Sequence, residues 1–435
     1  MTLFAKLIRE SFKVFTGNTL SSVLNILTIM IITRYLGLSE FGIFTLVITY
    51  CVFVDAIFNF QSWQALIKYC QTYLEKKDYL KFSYIIKVLV KFDLWSAVLA
   101  FVIINSTSIY FFSYYDVGHE YKNLSLILSF SVLLNFTGVP IGILRLVGDF
   151  NSIIYHNLII ACSKLISSLA VVYFNFNIFE LMTLWALSEV IGRVFLMWKS
   201  FYVVRNKIVF HKENNSNYTM AILCPGILKF MFSTNLNSSI RLSSREADIF
   251  LVGAIFSIES VAIYKVAKQI SNIIMKFVDP LYQIIYPELV KLVNSNEIRQ
   301  MAWYIVKSTA LIAFFSIACI VILKLYGVHL IEVTFGQEYT ESANVIFTYI
   351  YAILICAIGF WLQPLMVSIG KPHYSLFFNI ISTTIYFVVI IIFGEKIGLI
   401  GVAIAYVIYY GVWSLLMLSS ILYHFHTISK KRHLI

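Results

Sequence analysis

The stretch SLFFNIISTTIYFVVIIIFGEKIGLIGVAIAYVIYYGVWSLLMLSSILY, residues 375–423, carries charge only at Glu395 and Lys396, which sit in a turn between two apolar runs. Each run is close to the roughly 20 residues that an α-helix needs to cross a bilayer. The same pattern recurs back along the chain. Candidate spans lie near 15–34, 41–60, 84–112, 124–145, 152–174, 178–198, 226–255, 261–287, 302–325, 343–367, 375–394 and 398–423. The seventh and eighth of these twelve are the most interrupted by polar residues. Composition agrees: 60% of the 435 residues are hydrophobic, 13% are charged, and mean hydropathy is +0.83. Too few charges are present to clothe a soluble protein of this size, so lipid is the solvent for most of the chain. Too few residues remain outside the spans for a large soluble catalytic domain, a nucleic-acid-binding domain or a secreted disulfide scaffold. The six cysteines, Cys51, Cys70, Cys162, Cys224, Cys319 and Cys356, show no CxxC or Cys/His spacing and read as small apolar residues.

The net charge of +11 is informative through its distribution. With the N-terminus on the cytoplasmic side, the cytoplasmic segments hold basic clusters such as Lys6, Arg9 and Lys13, Lys68 to Lys81, Lys199 to Lys212, and Lys430 to Arg432. The outer segments hold only Arg34, Lys122, Lys324 and Lys396. Loop lysines and arginines favour the cytoplasm, so both termini are expected there.

Two halves of the chain echo one another. A shift of 220 residues lays Ser39-Glu40-Phe41-Gly42-Ile43-Phe44 over Glu259-Ser260-Val261-Ala262-Ile263-Tyr264; slightly larger shifts match Gly148 with Gly370, Asn157 with Asn379, and Pro140 with Pro364. Six helices separate equivalent points, and six is even, so the halves enter the membrane from the same side as parallel repeats. The expected organisation is a six-helix bundle over 1–198, a basic cytoplasmic linker over 199–220, and a second six-helix bundle over 221–435. Ser257 stands where the first half has Gly37, and Ala262 where it has Gly42.

Charges inside spans are expensive and normally face a partner or a hydrated cavity. One reading makes them structural ion pairs, such as Glu189 with Arg193 at i, i+4. The other notes that Arg241, Arg245, Lys265, Lys268, Lys91 and Lys164 outnumber nearby acids. It expects a cationic cavity between the bundles that takes an anion, with the arginine forks suited to phosphate. No G-x-x-x-x-G-K-[ST], HExxH, GxSxG or CxxC motif is present. No cofactor or metal is therefore expected, and uphill work would draw on an H+ or Na+ gradient. Asp248, Glu246 and Asp55 are the candidate coupling acids.

The segment Arg34-Tyr35-Leu36-Gly37-Leu38-Ser39-Glu40-Phe41-Gly42 resembles the RYLGxxEFG segment of bacterial polysaccharide flippases of the Wzx type. So do the stretch from Pro140 to Gly148-Asp149-Phe150 and the run Asp248-Ile249-Phe250-Leu251-Val252-Gly253 followed by Ala262-Ile263-Tyr264. These belong to the multidrug/oligosaccharidyl-lipid/polysaccharide (MOP) exporter superfamily. The resemblance implies an all-α, MATE-like protein of twelve spans in the cell inner membrane, not an enzyme. Its implied cargo is an undecaprenyl-diphosphate-linked oligosaccharide, such as an O-antigen or other surface polysaccharide repeat unit of lipopolysaccharide biosynthesis, flipped to the outer leaflet. Implied partners are that lipid-linked oligosaccharide, membrane lipids, a polysaccharide polymerase and a chain-length regulator, with no nucleic acid. The competing expectations are an ion-coupled multidrug exporter on the same fold and a membrane polysaccharide polymerase or glycosyltransferase.

Overall fold

A hydrocarbon solvent offers no hydrogen bonds, so a spanning backbone must satisfy its own polar groups and becomes helical. The computed structural model describes residues 3–60, 62–207, 220–295 and 297–432, and among these residues the regular elements are helices alone.

The chain divides into two compact units, Met1–Ala247 and Asp248–Ile435. The first contains α1 (Leu3–Phe58), α2 (Ser62–Glu75), α3 (Tyr79–Tyr114), α4 (Lys122–Leu133), α5 (Gly138–Leu146), α6 (Phe150–Phe174), α7 (Ile178–Lys207) and α8 (Met220–Leu223). Helix α9 (Ile227–Ile255) starts in this unit and ends in the second. The second continues with α10 (Ile258–Asn294), α11 (Ile298–Thr334), α12 (Ser342–Ile358), α13 (Leu362–Ser368), α14 (Pro372–Ile397) and α15 (Leu399–Arg432).

Among the described residues, nine helical segments are long and apolar enough to cross a membrane. One of them, Thr16–Glu75, takes in most of α1 together with α2, and its α1 part alone at 1.5 Å per residue exceeds one bilayer thickness. It bends at Gly37, whose φ of 70° and ψ of −174° break the helical path, and so supplies two crossings. The polar-interrupted α9 and α10 complete the twelve.

The repeat is written in the backbone as well as in the sequence. Positive-φ residues pair across the halves: Asp116 (51°) with Gly336 (112°), Gly148 (74°) with Gly370 (78°), and Asn175 (54°) with Gly398 (73°). The bend at Gly37 corresponds to the gap between α9 and α10, where extended Ser257 caps α10 by accepting from Ser260 N. The expected spans 124–145 and 343–367 are each split in two, into α4 and α5 and into α12 and α13. Pro140 and Pro364 are the third residues of the short second pieces. A proline has no N–H and crowds the carbonyl four residues back, so it tolerates a first turn but ends any helix running into it.

Two further expectations meet a different structure. The connection over 61–83 contains a helix, α2, which buries Ser62, Ala65, Leu66 and Cys70 at helical spacing against Phe82, Ile85, Leu89 and Val139. The basic linker over 199–220 begins as the last turns of α7, while 208–219 lie outside the described residues. The compact units part at Ala247/Asp248 because the start of α9 is held by the first unit. Asn235 Nδ2 donates to Ile57 O at 2.5 Å, Ser239 Oγ to Ala56 O at 3.4 Å, and Ile227 and Met231 join the core beside Cys70.

Gly37 occupies a region of φ/ψ that is essentially closed to residues with a Cβ, at a cost of about 1–3 kcal/mol. Gly37→Ala should therefore lower the thermal unfolding midpoint in detergent. Gly411→Ala, inside α15 with open space around the new methyl, should leave it unchanged or raise it slightly.

Candidate functional site

Each unit encloses its own cluster of polar side chains. In the second, α9 brings in Asp248 and α10 brings in Tyr264 and Lys268, four residues apart and so on one helical face. Asp248 is 0% exposed and Lys268 4%. The Lys268 ammonium donates to both carboxylate oxygens, at 2.8 Å and 3.0 Å. Tyr264 and, from α14, Tyr386 donate their hydroxyls to Asp248 Oδ2 at 2.7 Å and 3.0 Å, and Ile249 N donates to Oδ1 at 2.9 Å. The acid's acceptor capacity is thus met from three helices. Around it lies a stack of phenols: Tyr349 on α12 against Tyr406 on α15 at 4.4 Å, with Tyr409 donating to Asn379 Oδ1 at 2.6 Å.

In the first unit, Lys164 on α6 reaches Glu189 on α7 at 2.6 Å, with its ammonium 4.3 Å from the centre of the Trp185 ring. Arg193 approaches the other oxygen of Glu189 at 3.4 Å and donates to the Ser131 carbonyl of α4. On α1, half-buried Asp55 accepts from Asn135 Nδ2 at 2.5 Å, and Asn135 Oδ1 accepts from Thr137 at 3.0 Å. Asn135 and Thr137 lie in the break between α4 and α5. The same break is closed from α3, where Asp93, 4% exposed, accepts from Ser62 Oγ at 2.6 Å and Val139 N at 3.2 Å. A Cβ at Gly138 would run into Ser62 Oγ, so glycine lets this carboxylate reach the start of α5.

The sequence-selected residues therefore fall into different places. Lys268 and Asp248 meet each other, and Lys164 meets Glu189. Lys91 is exposed on α3, while Lys265 on α10 and Glu246 on α9 are half-buried. The side chains of Arg241 and Arg245 lie outside the described residues; their backbone belongs to α9. Charge counting finds Asp93 inside a span but gives it no role, and hydropathy and charge counting select none of Asn135, Tyr264 and Tyr386. The spacing Tyr264-x-x-x-Lys268, following an in-span Asp248, was the readable trace of the second cluster. Among the described residues, no group of three or more His, Cys, Asp or Glu is placed to hold a metal ion.

Comparison with known proteins follows the fold. Residues 31–344 match a protein family described as "Polysaccharide biosynthesis protein". The chain is 22% identical over 346 residues to the inner membrane protein YghQ of Escherichia coli (strain K12), covering 79% of this chain and 96% of that one. Among solved structures it is similar to an inward-facing multidrug resistance MATE family transporter of the MOP superfamily, with TM-score 0.73, 15% identity, and coverage of 94% of this chain and 96% of that one. It is also similar to the lipid II flippase MurJ in an inward closed conformation, with TM-score 0.69, 17% identity, and coverage of 94% and 87%. A MOP superfamily transporter from Pyrococcus furiosus, described as having a binding pocket of reversed polarity, gives 0.67 at 14% identity, covering 97% of this chain and 95% of that one. These likenesses give the fold of a MOP-type multi-pass membrane protein.

Removing one partner of a buried ion pair leaves an uncompensated charge, at a cost of about 3–5 kcal/mol. Lys268→Met should therefore destabilise the protein strongly in a thermal melt. The double variant Lys268→Met/Asp248→Asn should recover much of the loss, because neither charge then stands alone.

Proposed function

The chain belongs to the polysaccharide biosynthesis protein family, and from that premise we propose that it is a flippase for lipid-linked oligosaccharides. The observation that carries the reading is the match of that family over most of a chain with a MOP-type fold. The cargo is an undecaprenyl-diphosphate-linked repeat unit of a surface polysaccharide such as O-antigen, moved from the inner to the outer leaflet of the cytoplasmic membrane. Its polymerase and chain-length regulator would act on the product. Both termini are assigned to the cytoplasm by the excess of basic residues in those segments.

The described ion pairs refine the anion site. Lys268 is balanced by Asp248, and Lys164 with Arg193 by Glu189 beside Asp55. We therefore assign the diphosphate chiefly to Arg241 and Arg245, four apart on one face of α9, with Lys265 and Lys91 adding positive potential. Alternating access would then expose the headgroup to each side in turn. An H+ or Na+ gradient supplies the drive through Asp55, Glu246 and Asp248. Asp55 is the first of these to test, because it accepts from Asn135 at the break between α4 and α5, whereas Asp248 is paired directly with Lys268. A second reading, an ion-coupled multidrug exporter, draws on the likeness to MATE transporters.

Deletion of the gene should cause complete lipid-linked repeat units to accumulate at the inner leaflet, read by lipid extraction and mass spectrometry. Unchanged surface polysaccharide with new drug sensitivity would favour the exporter instead. In the deletion strain, Arg241→Ala and Arg245→Ala should each insert normally yet fail to relieve the accumulation; full rescue by both would remove the assigned anion site.

A further inference from the structure

Where α10 ends and α11 begins, a pocket of about 420 Å3 opens between the two helices. Small-ligand sites usually enclose about 300–1,000 Å3, so the space is large enough for a compact polar group. Glu288 and Leu292 of α10 line it, with Arg299, Gln300, Trp303 and Tyr304 of α11. All six belong to the second compact unit, and none takes part in the buried Asp248–Lys268 cluster. Leu292 is buried, and charge of both signs stands around it. The Glu288 carboxylate meets Lys291 at 3.7 Å through Oε1, and that lysine side chain is 76% exposed. A surface pair of this kind contributes about 0–1 kcal/mol, which leaves the carboxylate open to a better placed cation. Arg299 is exposed, and among the described residues no ion pair joins it to Glu288 across the pocket. Trp303 and Tyr304 add ring faces on which an ammonium can rest. The Trp303 ring already attracts one, since the Lys307 ammonium lies 4.1 Å from its centre.

The surroundings of the pocket narrow the choice of ligand. Of the nine apolar spans, α11 is the one that the protein covers least. From exposed Trp303 the same helical face continues through Val306, Ala310 and Phe314, all of them exposed. Hydrocarbon chains therefore lie against the helix directly beyond the pocket. A purely anionic headgroup would suit Arg299 but would have to sit beside Glu288. A cation alone would have the opposite conflict. A molecule that carries a phosphate and an ammonium side by side, with acyl chains attached, meets both charges and the apolar face together. We propose that this α10–α11 pocket holds the headgroup of a zwitterionic aminophospholipid, phosphatidylethanolamine, with its phosphate on Arg299 and Gln300 and its ammonium on Glu288. A primary ammonium brings three N–H donors to the carboxylate, whereas the trimethylated ammonium of phosphatidylcholine brings none. The inference stands on the membrane fold and is independent of the cargo.

The test is lipid binding to the purified full-length protein, read by native mass spectrometry as the first lipid bound. Phosphatidylethanolamine, phosphatidylglycerol and phosphatidylcholine with identical acyl chains are offered in turn. Wild type should hold phosphatidylethanolamine most tightly. Glu288→Gln should weaken that binding about tenfold or more, the loss of one charge-assisted hydrogen bond, and should bring phosphatidylglycerol level with it or above it. Arg299→Gln should weaken both lipids, because both present a phosphate. Lys396→Gln, at an exposed position in the last turn of α14, should change nothing. Wild-type binding of phosphatidylglycerol or phosphatidylcholine as tight as that of phosphatidylethanolamine would overturn the proposal. So would undiminished phosphatidylethanolamine binding by both Glu288→Gln and Arg299→Gln.

Discussion

Every backbone N–H and C=O that enters hydrocarbon must find its partner inside the protein, and this single requirement organises the molecule. It makes the spans helical, and it also decides where they can stop being helical. The interruptions fall where something else takes over the freed groups. At Thr137–Val139 the carboxylate of Asp93 accepts from Val139 N, and at Ser257 the side chain accepts from Ser260 N. Because each half faces the same requirement with the same order of spans, the breaks recur: α4/α5 with α12/α13, Gly148 with Gly370, Asn175 with Gly398.

Within this shared frame the two halves differ in chemistry. Lys164 on α6 and Tyr386 on α14 are 222 residues apart, the same separation as Gly148 and Gly370, so they hold equivalent positions in the repeat. In the first unit that position carries an ammonium that meets Glu189 on the following helix. In the second it carries a phenol that donates to Asp248, and the following helix offers Tyr406 and Tyr409 instead of an acid. The first unit spreads its described internal charges over α1, α3, α6 and α7. Among the described residues of the second, Asp248 and Lys268 form a buried pair with tyrosines around it.

Most of the span pattern was legible in the sequence because hydropathy is a sum over about twenty neighbours, and local sums survive in one dimension. Helix α2 was not, since its burial at residues 62, 65, 66 and 70 gives a periodic signal and not an apolar run. The breaks at α4/α5 and α12/α13 were visible as Pro140 and Pro364 yet read only as landmarks of the repeat. The polar clusters were the least legible part. Glu189–Arg193 could be read because its partners lie one helical turn apart. Lys164 and Glu189 are 25 residues apart, and Tyr386 and Asp248 are 138 apart. No spacing rule reaches across those distances, so charge counting saw the residues without seeing which of them cancel.

That cancellation bears on how such a protein could move. An ion pair in a low-dielectric interior costs several kcal/mol to part, because each charge must then be held alone. In the described pairs Lys164–Glu189, Arg193–Glu189 and Lys268–Asp248, both partners belong to the same compact unit. Displacement of one unit as a body would therefore break none of them. The internal charges cement each unit and leave it free to move without an electrostatic penalty from these pairs. A cation meant to hold a cargo has the opposite need: its strongest partner must be able to leave. Lys164 and Lys268, each held by an acid of its own unit, are therefore read as part of the packing of that unit.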